Sequence, residues 1–400
     1  MGRARQKQRK FSSTASQPAS SSSQPPPIAS LLAKAQDLII QCDYPLARKF
    51  IERILSREDS TPTEKNQARE MMGVVLLELA EIDAAKEMFL SLVPPHPDAP
   101  SPPPPSAYLH LAQLSDDDPH AALSHYQTAI DLLHAQLKGK SPVVSNVDDD
   151  DDSETKSNIV RAYLGMIEIW MDPSHDLCFD PAASSTCDAL LSRALEVDPQ
   201  NLETLQTLAS VRLSQEKPEE ALQALRTFPS PPPDPHSTNT STTDPQSHAS
   251  LLLNALPILV RITRAKLLLE CNAYSDALSL LEGVLAADDA NVEGWYLMGW
   301  SWWLLAERRK EGDVTVAESL GEDGEQLEWQ DMARDSRDCL ETCRMLYSSQ
   351  EFPDEPLMEH VQELITTLEG LGIHPSPADE EANGEVWEDV GDSDEDVEML

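Results

Sequence analysis

Glycine is scarce in this sequence, at 14 of 400 residues, and aromatic residues make up only 5% of it. So little glycine leaves few of the residues from which phosphate-cradling loops and nucleophile elbows are built. Neither a Gly-x-Ser-x-Gly run nor a phosphate-binding loop is present. Basic residues are outnumbered too: 30 Lys and Arg stand against 70 Asp and Glu, a net charge of −40. Such a field repels nucleic acid and anionic membrane surfaces and attracts basic proteins. Apolar runs of about 18 residues are lacking, so no membrane span is expected. The few cysteines (Cys42, Cys178, Cys187, Cys271, Cys339 and Cys343) are scattered through helical patterns, which fits a reduced intracellular protein. Cys339 and Cys343 share a helical face but have no second Cys/His pair at zinc-site spacing, so they are expected as buried helix residues. The run Asp148 to Asp152 lacks the glycine and the closing glutamate of a calcium loop. No catalytic constellation, metal or cofactor is expected, and the chain reads as a non-enzymatic binding protein.

What the sequence does hold is proline, 31 residues of it, clustered between stretches of helical periodicity. Residues 1–27 are a basic cluster followed by Ser, Gln and Pro, expected to be disordered. The basic stretch Met1 to Lys10 reads either as a nuclear import signal or as a solubilising tail. No apolar segment follows it, so it is not a secretory signal. From Ile28 the apolar stripe Leu31, Leu32, Ala35, Leu38 and Ile39 predicts a helix, and Ala47, Phe50, Ile51, Ile54 and Leu55 predict its partner. Further hairpins are predicted at Arg69–Leu79 with Ala84–Val93, Ala107–Leu114 with His120–Leu133, and Ile159–Trp170 with Cys187–Val197. Three more follow: Leu202–Leu213 with Pro218–Phe228, Leu251–Leu269 with Ser275–Leu285, and Val292–Leu305 with Glu328–Tyr347. A last amphipathic helix, Pro356–Leu368, is expected to cap the stack. Disordered insertions are expected near 94–105, 138–157, 229–249 and 307–326, and a disordered acidic tail over 373–400.

Units of this length, with small residues where two helices cross, resemble tetratricopeptide repeats. Trp295, Met298, Gly299 and Trp302 stand at the spacing of the Trp-x-x-Leu-Gly-x-x-Tyr signature. Met72-Gly73, Leu76, Ala85 and Phe89 match in the second unit, Ala122, Tyr126 and Ala129 in the third, and Ala194 and Pro199 in the fourth. Leu208-Ala209 and Ala221 match in the fifth and Ala277 in the sixth. The small side chains Ala47, Ala85 and Ala122 recur a little over one repeat apart, where close helix approach requires them. The resemblance implies an all-α, right-handed superhelical solenoid over residues 28–372, with about seven units and a capping helix.

In that family the first helices line a concave groove. The positions facing it correspond here to Glu70 and Glu78, to Trp170, Glu203, Lys266 and Glu270, and to Glu293, Tyr296, Trp300 and Trp303. Four tryptophans in nine residues of one helix cannot all face a core, so Trp300 or Trp303 is expected at the surface. Lys, Asn and Arg that would clamp an acidic peptide are mostly missing from these positions. A basic extended segment would be steered in instead.

The layout as a whole resembles a narrower group, the fungal assembly chaperones dedicated to one large-subunit ribosomal protein, the fourth in standard numbering. The features that carry this are the basic N-terminus, the Trp-rich late repeat, the capping helix and the tail Val386-Trp387-Glu388-Asp389-Val390 with Asp392-Ser393-Asp394-Glu395-Asp396. The resemblance implies a basic ribosomal protein as client, held by its internal loop in the groove, one-to-one with a monomer. It further implies capture in the cytoplasm, delivery to nuclear pre-ribosomes with a nuclear import factor as a second partner, and no direct contact with nucleic acid or membrane. A general adaptor for another basic client such as a histone remains the alternative, and a cyclosome-type scaffold is a third.

Overall fold

The computed structural model describes residues 26–139, 148–228, 245–312 and 328–376. The expected basic N-terminus and acidic tail therefore lie almost wholly outside the described residues, as do most of the expected insertions at 229–249 and 307–326. The described residues form helices and connecting turns, without strands. They fall into two compact units, residues 1–155 and 156–400.

The first unit holds three hairpins. Helix α1 (Ile28–Ile40) pairs with α2 (Tyr44–Leu55), α3 (Pro62–Glu78) with α4 (Ile82–Leu90), and α5 (Pro105–Gln113) with α6 (Pro119–Gly139). Their start signals are local. Thr61 and Glu64 form a reciprocal capping box, the Glu64 carboxylate accepting from the Thr61 amide at 2.8 Å, with Pro62 at the first helical position. Asp43 accepts from the Leu46 amide at 3.2 Å and opens α2. The core runs through Leu31, Ile51, Ile54, Val75, Phe89 and Leu111, and the small residues Ala47, Ala85 and Ala122 are buried where the helices cross.

The second unit begins within α7 (Asp148–Met171), at residue 156. After it come a 3-10 turn at Asp176–Phe179, then α8 (Ala183–Val197), α9 (Leu202–Ser214), α10 (Pro218–Leu225) and α11 (Pro245–Ala255). Helices α12 (Ile258–Glu270), α13 (Tyr274–Ala287), α14 (Val292–Lys310), α15 (Trp329–Gln350) and α16 (Glu355–Gly370) complete it. Hairpins α9–α10, α12–α13 and α14–α15 pack in sequence, and α16 lies against α15 as the terminal helix. One apolar cluster joins them through Ala209, Leu225, Leu281, Leu297, Leu340, Val361 and Leu368. Three arginines are buried in this unit, and each donates to a neighbouring helix's backbone carbonyl: Arg261 to Gly283 (2.9 Å), Arg264 to Leu225, and Arg337 to Ile365 (2.9 Å). Arg337 is also ion-paired to Glu341 and Glu369. Burial alone pulls the Arg264 guanidinium down to about 10.

Four of the hairpin turns share one geometry. Cys42, Ala80, Glu216 and Asn272 each take a left-handed φ, between 58° and 60°, two residues past the end of α1, α3, α9 and α12. In each case the left-handed residue's amide bonds the carbonyl three back, and the next amide reaches five back, as in Asp43 to Leu38 and Glu81 to Leu76. This is the Schellman closure, made here without glycine.

Several boundaries differ from those the sequence predicts; helix α3, for one, begins at Pro62 rather than Arg69. The predicted single helix Leu251–Leu269 is broken between Ala255 and Ile258. Pro257 has no amide hydrogen to donate and crowds the residue before it out of the helical region. The insertion expected as disordered at 138–157 is largely helical where it is described, since α6 runs to Gly139 and α7 already begins at Asp148. An aspartate run is compatible with the first turn of a helix, the end at which negative charge is favoured. Residues 94–105 are a succession of turns leading into α5. Helix α14 continues five residues beyond Leu305, ending on Arg308, Arg309 and Lys310, which suit the negative end of the helix.

Candidate protein-binding face

The first helices of the second-unit hairpins are neighbours: α9 touches α12, and α12 touches α14. Their outward side chains therefore share one face. Two cross-helix contacts fix its register. The Gln206 side chain of α9 donates to the Val260 carbonyl of α12 at 3.4 Å, and Lys266 of α12 pairs with Glu293 of α14 at 2.5 Å.

Asn201 opens α9 by accepting from the Thr204 amide at 2.9 Å, and Asn291 opens α14 by accepting from the Gly294 amide at 2.8 Å. These caps set the turn on which Glu203 and Glu293 project. Glu203 and Glu270 are exposed, and neither is in an ion pair among the described residues. Glu293 is half-buried.

Tyr296 and Trp300 follow Glu293 along α14 at helical spacing and stack with centroids 5.9 Å apart and ring planes 20° apart. His360 of α16 closes the group. Its ring stands edge-on to Trp300 at 5.5 Å, and its Nδ1 is 2.8 Å from the Tyr296 hydroxyl. Burial, reinforced by the charge of Asp354, pushes the Tyr296 phenol up to about 12, so it stays protonated and serves as a neutral hydrogen-bonding group. Trp300 is half-buried beside it.

Trp303, expected as an alternative to Trp300 on this face, is only 8% exposed and belongs to the core. Helix α14 is covered by α12, α13 and α15, so little of its circumference stays open, and the side holding Trp303 is not that part. Trp170, near the end of α7, is half-buried.

One residue of this unit went unpredicted. Glu168 of α7 carries a carboxyl raised above the ordinary range, first by desolvation and then by the charge of Glu203. A cation bound beside Glu168 would favour its ionised form.

Glu70 and Glu78 belong to the first unit, both on α3. Glu78 is exposed. Glu70 is half-buried and accepts a short hydrogen bond from Ser106 of α5, so part of its charge is already engaged. Its field acts on His110, whose ring stacks on Phe89 at 4.5 Å and which burial pulls below the ordinary imidazole range.

Cys339 and Cys343 are buried in α15, and burial pushes each thiol up to about 12, the reverse of what a metal ligand or nucleophile needs. Among the described residues no group of three or more His, Cys, Asp or Glu is placed to hold a metal ion, and no helix is long and apolar enough to cross a membrane.

Paired helices, alanines at the crossings and a recurrent left-handed turn define the repeat, and a solved structure shares it. Residues 1–338 of the assembly chaperone of RpL4 (Acl4) superpose with a TM-score of 0.54 at 26% identity, over 72% of this chain and 99% of that one. The chain folds as a tetratricopeptide-repeat protein. Two curated relatives extend the likeness along the sequence. A probable assembly chaperone of rpl4 from Schizosaccharomyces pombe is 29% identical over 339 residues, 84% of this chain and 91% of the relative. One from Emericella nidulans, of the same description, is 29% identical over 385 residues, 92% of this chain and 90% of the relative. No family model matches the tetratricopeptide repeats of this chain or any other part of it.

Proposed function

We propose that this tetratricopeptide protein is an assembly chaperone for large-subunit ribosomal protein L4 and holds a basic segment of it on the acidic and aromatic face of the second unit. The observation that carries the reading is similarity to chaperones of that description over most of the length of both chains.

The chemistry of the face suits such a client. A ribosomal protein segment rich in Lys and Arg lacks its natural counter-charge until RNA supplies it. Glu203 and Glu270 offer free carboxylates, and Tyr296 and Trp300 offer ring faces for guanidinium planes. The net charge of −40 adds long-range attraction. Binding of this kind weakens with salt and yields to RNA, a denser polyanion, which provides a route to release. Capture in the cytoplasm and transfer to nuclear pre-ribosomes complete the reading, with the chaperone acting as a monomer.

Purification from its own cells at low salt, followed by identification of the bound proteins by mass, tests the assignment. One ribosomal protein in near-stoichiometric amount is expected. A histone in that place, or a spread of unrelated proteins, would overturn it.

A further inference from the structure

The carboxylate at the centre of the face is not free. Lys266 of α12 stands against Glu293 of α14, Nζ to Oε1 at 2.5 Å, with side chains 49% and 28% exposed. The other cations of α12, Arg261 and Arg264, are buried and turned to backbone carbonyls, so Lys266 is the positive charge that α12 presents beside Glu270 and Glu293. A face built to attract cations thus carries one of its own, seated on the carboxylate one turn before the Tyr296–Trp300 stack.

We infer that Lys266 is a resident counter-ion, an internal competitor that a basic client must displace from Glu293 and that keeps client affinity below what the acidic face would otherwise reach. The inference rests on the reading that this face binds a basic segment.

Two physical points support it. An exposed ion pair is worth only a factor of about two to five in an equilibrium, so a client Arg with a bidentate fork can displace the lysine. The displaced Lys266 then lies next to the client's own cations and favours their departure. A chaperone that must hand its client on gains from such a contact, because it limits residence without weakening the long-range attraction that sets encounter.

The test measures binding of an oligo-arginine peptide to the full chain at low salt, with association and dissociation rates resolved. Lys266→Gln is expected to bind about two to five times more tightly, mostly through slower dissociation, and adding Glu293→Gln is expected to remove the gain. Lys266→Arg, which keeps the pair, is expected to bind no more tightly than the parent. Lys49→Gln, an exposed lysine of α2, controls for net charge. No gain in Lys266→Gln, or an equal gain in Lys49→Gln, overturns the inference while leaving the binding reading in place. If the parent chain does not hold the peptide, or if Glu203→Gln with Glu270→Gln leaves affinity unchanged, the binding reading fails and the inference falls with it.

Discussion

Gly73 shows how narrowly single residues are fixed in this fold. A Cβ placed there would meet the Phe89 ring at 2.5 Å, with two more ring carbons within 3 Å. Helix propensity alone says Gly73→Ala should stabilise α3 by about 1 kcal/mol. Overpacking against a rigid ring costs about 1–3 kcal/mol, and that ring is fully buried and stacked on His110, so it has little room to retreat. Gly73→Ala is therefore expected to lower stability, by up to about 2 kcal/mol, read from the urea midpoint. In a Phe89→Leu background the same substitution should be neutral or stabilising, and a stabilised single mutant would contradict the packing described. The sequence made Gly73 legible, because Met72-Gly73 and Phe89 stood at repeat spacing. Trp303 was not legible in the same way. The count of tryptophans said that not all four could face inward, but which one turned out depended on α12, α13 and α15 around α14, information that local spacing does not carry. Glu168 escaped for a related reason: its raised carboxyl comes first from desolvation and then from the charge of Glu203 on another helix, neither of which local spacing carries.

The hairpin is the scale at which the sequence speaks most clearly. Apolar stripes located most of the helices, since the 3.6-residue period and the buried alanines Ala47, Ala85, Ala122, Ala221 and Ala277 are properties of the chain itself. The turns between helices were harder to see. Glycine usually marks a left-handed closure, and here Cys42, Ala80, Glu216 and Asn272 take that place. A left-handed non-glycine residue costs about 1–2 kcal/mol, partly offset by the entropy of the glycine that would replace it, about 0.5–1 kcal/mol. Ala80→Gly and Glu216→Gly, both exposed, are thus expected to stabilise the fold by about 0.5–1 kcal/mol each in urea unfolding. Asn272→Gly should gain less, because asparagine tolerates the left-handed region and Asn272 accepts a 2.7 Å hydrogen bond from the Tyr274 hydroxyl. Destabilisation by Ala80→Gly would show that the turn does not hold the conformation described. The break at Pro257 has the opposite lesson. The proline was visible, but the apolar residues around it kept a helical period and outweighed it in the reading.

Over the whole molecule, charge and repeat identity say different things. A net charge of −40 selects basic partners as a class and predicts binding that falls as salt rises. It does not choose between a ribosomal protein and a histone, both of which are basic. The choice rests on likeness to chaperones of rpl4 along most of both chains, and the face of the second unit supplies a physical reason for that choice to work. Of the residues expected on that face, Glu203, Glu270, Glu293, Tyr296 and Trp300 are brought onto neighbouring first helices or the α14 stack, while Glu70 and Glu78 stand in the other unit.

The measurement that bears most directly on this account is the affinity of the purified full chain for purified ribosomal protein L4 across a salt series. It is to be repeated with Glu203→Lys and Glu270→Lys combined, after circular dichroism has shown the helical content unchanged. The account predicts tight one-to-one binding that weakens steadily with salt, and a loss of about tenfold or more in the charge-reversed variant, with a shallower salt dependence. Binding of equal strength in the parent and the variant would place the client elsewhere on the molecule and contradict the account.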